Sequence, residues 1–179
     1  MSIQFLDMRI SQGSTMDAQS LNLVRSGAVF GDIGLQTVNV TPANAGLVRV
    51  TLNAFARLSV DVSIIVQNDV TFSIYRNNVL IFSTTYPGNI NNTTTQYEMV
   101  GITAVDYPPS TDVLTGQIQY TIVASAIRTA SLGARSFSGN CRCRKWIVEN
   151  IKGKSPEHSG IFSIVPIKKA SVEKYLRML

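Results

Sequence analysis

The first 140 residues contain no lysine, histidine, cysteine or tryptophan. Each absence narrows the chemistry available. A Ser/His/Asp or Cys/His arrangement would have to use His158, the only histidine, which follows Pro156-Glu157 in loop-like sequence. Zinc commonly takes four ligands from closely spaced cysteine pairs, and Cys141, Cys143 and His158 would supply three. A disulfide within Cys141-Arg142-Cys143 would be strained, so thiols are expected, with cross-linking between copies as the alternative. The acidic residues are scattered and no motif pairs any two of them for glycosidase chemistry. The glycines form neither a dinucleotide fingerprint nor a P-loop. No catalytic residue, metal site or cofactor is therefore expected.

Charge is scarce too. Charged residues are 15% of the chain, well below the usual quarter. Hydrophobic residues at 45% exclude general disorder, and 179 residues fit one domain. No apolar run approaches the ~18–20 residues that span a bilayer, so no membrane contact is expected. Met1 to Ser20 has neither a basic start nor a long apolar core, so no secretory signal is legible.

The charge that exists is unevenly placed. Residues 1–140 carry seven arginines and eight acids, a net of −1, whereas residues 141–179 carry nine bases and three acids, a net of +6. The high pI therefore gives no reason to expect nucleic acid on the body of the chain. The break divides the sequence into an N-terminal segment (1–25), a β domain (26–140) and a basic C-terminal tail (141–179). Three readings of the tail stay open: a shifted or vestigial gene end, a docking extension, or a nucleic-acid or membrane contact, Trp146 offering a ring for a base in the nucleic-acid case.

What the body does have is period-two alternation. From Val48 to Val66 every even position is apolar, and the odd positions include Arg49, Thr51, Asn53, Arg57 and Ser59. This pattern predicts one long bent strand or an antiparallel pair. Val70–Tyr75 and Val79–Tyr86 flank Asn77-Asn78, which suits a tight hairpin because asparagine tolerates positive φ. Tyr97–Val105, Gly116–Ala126 and Ala134–Ser138 are further strands. So are Ala28–Phe30 and Leu35–Val40, with the glycines from Gly27 to Gly34 read as a turn between strands. Asp106–Asp112 reads as a loop around Pro108-Pro109, and no helix is expected before Asn140. The fold class is all-β: an antiparallel β-sandwich or jelly roll of about eight strands, with Phe72, Ile74, Tyr120 and Ile122 in its core and a basic C-terminal extension.

Three stretches carry a family resemblance: Val70-Thr71-Phe72-Ser73-Ile74-Tyr75-Arg76-Asn77-Asn78, then Asp106-Tyr107-Pro108-Pro109, then Tyr120-Thr121-Ile122-Val123-Ala124. Together they resemble the exosporium protein C-like family of bacterial endospore surface proteins, over roughly Ser26 to Gly139. They are also similar in style to the tumour-necrosis-factor/C1q-like heads of other spore-surface proteins, which trimerise. The resemblance implies a non-catalytic structural protein of the spore outer layer, exosporium or coat. It would be made in the mother-cell cytoplasm and would self-assemble with copies of itself and other spore-surface proteins. The alternative is a carbohydrate- or receptor-binding head of a phage or cell-surface fibre. That head would use the loops Pro87–Thr95 and Asp106–Asp112, with Tyr86 and Tyr107 as stacking residues.

Overall fold

The computed structural model describes residues 2–60, 68–87 and 96–145. The chain divides into a unit Met1–Ile147 and a second, Val148–Leu179, which lies outside the described residues. The strands are β1 (Ser2–Ser14), β2 (Leu21–Asn22), β3 (Ala28–Gln36), β4 (Val48–Val60), β5 (Val70–Arg76), β6 (Val79–Tyr86), β7 (Gln96–Asp106), β8 (Gln117–Ala126) and β9 (Ala130–Lys145). One 3₁₀ segment, Pro42–Leu47, precedes β4, and a short helix α1 (Ser110–Leu114) precedes β8. No helix among the described residues is long and apolar enough to cross a membrane.

The strands form two antiparallel sheets packed as an all-β sandwich. One sheet runs β1-β9-β4-β7, with β2 also pairing β9, and the other runs β3-β8-β5-β6. Alternation sets which side chains meet between the sheets. Along β4 the even positions from Val48 to Val60 are buried, and β8 buries Ile118, Tyr120, Ile122 and Ala124. Phe72, Ile74, Tyr120 and Ile122 are all in the core, as their periodicity predicts. The Asn77-Asn78 hairpin is also as expected, since φ is 46° and 68° at those residues, the left-handed pair that a two-residue turn requires. Positions 61–66 of the long alternating run lie outside the described residues.

Four expectations are corrected. The N-terminal segment is not separate from the β domain, because Ser2–Ser14 forms a full strand against β9. The boundary at Asn140 does not hold either: β9 continues to Lys145, with Cys141 and Cys143 in the core. Cysteine behaves there as a small hydrophobe, so the inward row Phe137, Gly139, Cys141, Cys143 runs straight through the change in composition. The glycines of Ala28–Gln36 lie within one continuous strand rather than in a turn, with a bulge between Val29 and Gly31. Finally, the Asp106–Asp112 segment leads into α1, which begins after Pro109 and is too short to carry a helical period.

The bulge glycine has a packing reason. A Cβ on Gly31 would collide with the Phe137 side chain of the other sheet, so the sheets pack closely there at a residue with no side chain. We expect Gly31→Ala to destabilise the fold by about 3 kcal/mol. Gly101→Ala, with nothing within 4 Å of its added Cβ, should stay within about 0.5 kcal/mol. Chemical denaturation of the two variants checks both.

Candidate functional sites

The most concentrated chemistry lies at the hairpin end of the sandwich. Arg76 ends β5 and turns back toward the other sheet. Its Nη1 donates to Asp106 Oδ1 at 2.8 Å and Oδ2 at 3.0 Å, and its Nε donates to Asp112 Oδ2 at 2.9 Å. The buried Tyr120 hydroxyl donates to Asp106 Oδ2 at 2.7 Å. One guanidinium thus ties β5, β7 and α1 together, and Tyr120 adds β8. Burial works against the charge on Arg76, but the bonds and fields of Asp106 and Asp112 outweigh it and leave the guanidinium harder to deprotonate. Burial is also the largest effect on the Tyr120 hydroxyl, and Asp106 reinforces it, so the group stays protonated and serves only as a donor.

Arg76, Asp106 and Tyr120 come from the three stretches that carried the resemblance, and Asp112 lies three residues beyond the second. Sequence reading found no pairing between Asp106 and Asp112, because Arg76, their common partner, is 30 and 36 residues away. The group is an interior tie with satisfied partners, and it presents no nucleophile or open cation position.

A second polar tie fastens β1. A bulge between Phe5 and Asp7 turns Asp7 toward the other sheet. There its Oδ2 accepts from the Gln36 amide at 2.9 Å and from Arg9 Nε at 3.0 Å, and its Oδ1 accepts from the Met8 amide at 2.9 Å. Burial alone would raise the Asp7 pKa, but these donors reverse it and hold the carboxyl below its ordinary value.

The two cysteines are buried in β9 and not disulfide-bonded. Burial, with Cys143 and Asp7 nearby, pushes the Cys141 thiol up to about 12, so it is not a thiolate nucleophile at neutral pH. Among the described residues no three His, Cys, Asp or Glu side chains cluster as metal ligands would. His158 and Trp146 lie outside the described residues.

The stacking pair of the binding-head reading is not brought together. Tyr86 sits opposite Val70 at the start of β5, whereas Tyr107 follows Asp106, which bonds Arg76 at the end of β5. The six residues between those ends correspond to roughly 20 Å of strand. Tyr86 is half-buried, and burial followed by the neighbouring Glu98 raises its hydroxyl pKa. Tyr107 is exposed, but the Arg49 guanidinium lies 4.4 Å from its ring centroid. Most of the other loop, residues 88–95, lies outside the described residues.

The outer face of the five-stranded sheet is the remaining candidate. Its β1 residues Ile3, Phe5, Met8 and Ile10 are 68, 59, 55 and 63% exposed, while Gln4, Asp7 and Ser11 sit opposite the inward-facing Cys143, Cys141 and Phe137. Apart from Leu6, which the bulge packs against the core, β1 is therefore inside-out. Phe55, Met99 and Val105 add exposed apolar surface on β4 and β7. Two arginines of β4 stack on tyrosines on this side: Arg49 on Tyr107, and Arg57 on Tyr97, also at 4.4 Å. Arg57 is further paired with Asp17 at 2.7 Å, beside a hydroxyl-lined cavity of about 230 Å³.

Comparison with known proteins adds little. No family model matches the chain, and no curated protein matches it. Among solved structures it is similar to dimeric latent PorU from Porphyromonas gingivalis, at 10% identity and a TM-score of 0.40. That match covers 79% of this chain but 13% of the other, and a likeness of this size carries no argument about function.

Two outcomes test the ties. Arg76→Met leaves Asp106 buried without its cation and should cost about 3–5 kcal/mol in denaturant unfolding. Because the folded Asp7 pKa lies below the unfolded one, its contribution is full at neutral pH and disappears as pH falls below about 4. The stability gap between wild type and Asp7→Asn, about 1–2 kcal/mol at pH 7, should therefore close on acidification in paired thermal melts.

Proposed function

We propose that the chain is a non-catalytic structural protein that self-assembles by burying the outward apolar row of β1 against another copy. The outer layer of a bacterial spore, implied by the family resemblance, is the setting we assign to it. The observation that carries the reading is the inverted strand. A sandwich that stays monomeric gains by turning Ile3, Phe5, Met8 and Ile10 inward, and a contiguous apolar row left outside marks an interaction surface. The row has few charged neighbours along β1: Asp7 is taken up by Gln36 and Arg9, and the strand contains neither lysine nor proline to discourage association. A low charged fraction across the body is what a protein packed among copies of itself would carry.

Sedimentation velocity of the purified full chain tests assembly. Wild type should run as an oligomer at micromolar concentration, and Ile10→Lys should shift it to monomer with its thermal stability largely kept. A monomeric wild type would end the assembly reading. A fluorescent fusion made in a sporulating host tests the setting: a ring at the spore periphery is expected, and diffuse mother-cell fluorescence would reject it.

A further inference from the structure

The two stacked arginines of β4 differ in one respect. Arg57 has a carboxylate partner in Asp17, whereas Arg49 faces two more cations. The β4–β9 register sets Arg49 directly opposite Arg142, and Arg144 follows two residues later on the same face. The three line a shallow cavity of about 170 Å³ with Ile3 and Thr51. Among the described residues no carboxylate pairs with any of them. Like charges directly opposite on neighbouring strands are unfavourable.

Arg49 is also held in place rather than left to move away. Its Nη1 donates to the Gly46 and Val48 carbonyls at 3.1 and 2.6 Å, and its guanidinium is stacked on Tyr107. A fixed cation that gathers two others around a cavity, with an apolar wall at Ile3, has the form of a receptor for negative charge. The guanidinium fork matches the paired oxygens of a phosphoryl group.

We infer that Arg49, Arg142 and Arg144 form a binding site for a phosphate-type oxyanion, either free phosphate or the phosphoryl end of a larger molecule. Arg142 and Arg144 supply the forks, Arg49 supplies the positioned charge, and the shallow cavity of about 170 Å³ has room for a phosphoryl group. The site shares Ile3 with the proposed assembly row, but it is argued from the arginines, and its test reads phosphate binding rather than oligomeric state. It also gives a role to the Arg142 and Arg144 pair within the run that drew attention in the sequence as basic.

Titration of the full-length protein with inorganic phosphate, followed by ³¹P line broadening and by melting temperature against chloride at matched ionic strength, tests the site. Phosphate should stabilise saturably and chloride should not. Arg142→Gln and Arg144→Gln should each weaken binding about tenfold. Arg25→Gln, which removes the same charge from an exposed position elsewhere, should leave it unchanged. Arg142→Lys keeps the charge without the fork and should fall between. Tripolyphosphate separates the sources: tighter binding with the same arginine dependence points to a longer phosphorylated ligand, and equal binding points to free phosphate. Equal effects of phosphate and chloride on the wild type would overturn the site, and that comparison needs no variant to fold. An equal loss in Arg25→Gln would also overturn it.

Discussion

Arg76 is the point at which the two sheets depend on each other. Its guanidinium is largely covered, reached by carboxylates from β7 and α1, while Tyr120 of β8 caps one of them. A charge taken out of water is tolerated only when its partners are complete. The positions of β5, β7, β8 and the Pro108-Pro109 turn are therefore mutually constrained: moving any one of them would leave a buried charge or hydroxyl without a partner. The apolar layers of the sandwich could slide a little at modest cost, but this tie could not. It gives a nonspecific core one register.

The opposite design governs β1. Its inward positions are polar and its outward ones apolar, and it is held by pairing with β9, by Leu6 and by the Asp7 carboxylate reaching the Gln36 amide. The same outer face combines apolar residues with arginines, two of them flattened on tyrosine rings. This surface carries both proposals, apolar burial along β1 and charge recognition where Arg49 meets Arg142 and Arg144, and the two meet at Ile3. The basic character of the whole chain misleads about both. Residues 1–145 carry ten bases and eight acids, a net of only +2, so what matters is that three of those bases share one cavity.

Much of the sandwich was legible because strand burial repeats every two residues. The even positions of β4, the Phe72 and Ile74 pair, the Tyr120 and Ile122 pair and the Asn77-Asn78 turn all follow from local pattern and local backbone chemistry. β1 escaped the same reading for a physical reason. Its bulge shifts the apolar phase from Ile3 and Phe5 to Met8 and Ile10, and its apolar residues do not point inward. The strand end at Lys145 was obscured differently. Composition changes at Asn140, yet Cys141 and Cys143 continue the buried row of Phe137 and Gly139 without a break in period. Neither candidate site was visible, since their members are brought together only by strand pairing and by the return of α1.

The sequence by itself determined an all-β chain, the inward face of most of its strands and the lack of histidine or cysteine through most of its length. Those properties depend on neighbours one or two residues away, and alternation and turn chemistry record them directly. Only the tertiary structure decided that Arg76 would meet Asp106, that Arg49 would face Arg142, and that Ser2–Ser14 belongs to the sheet. The first rests on how the two sheets pack face to face, and the other two on register between strands far apart in the chain. Register is set by the total of packing and buried polar pairing, which no short stretch of sequence contains.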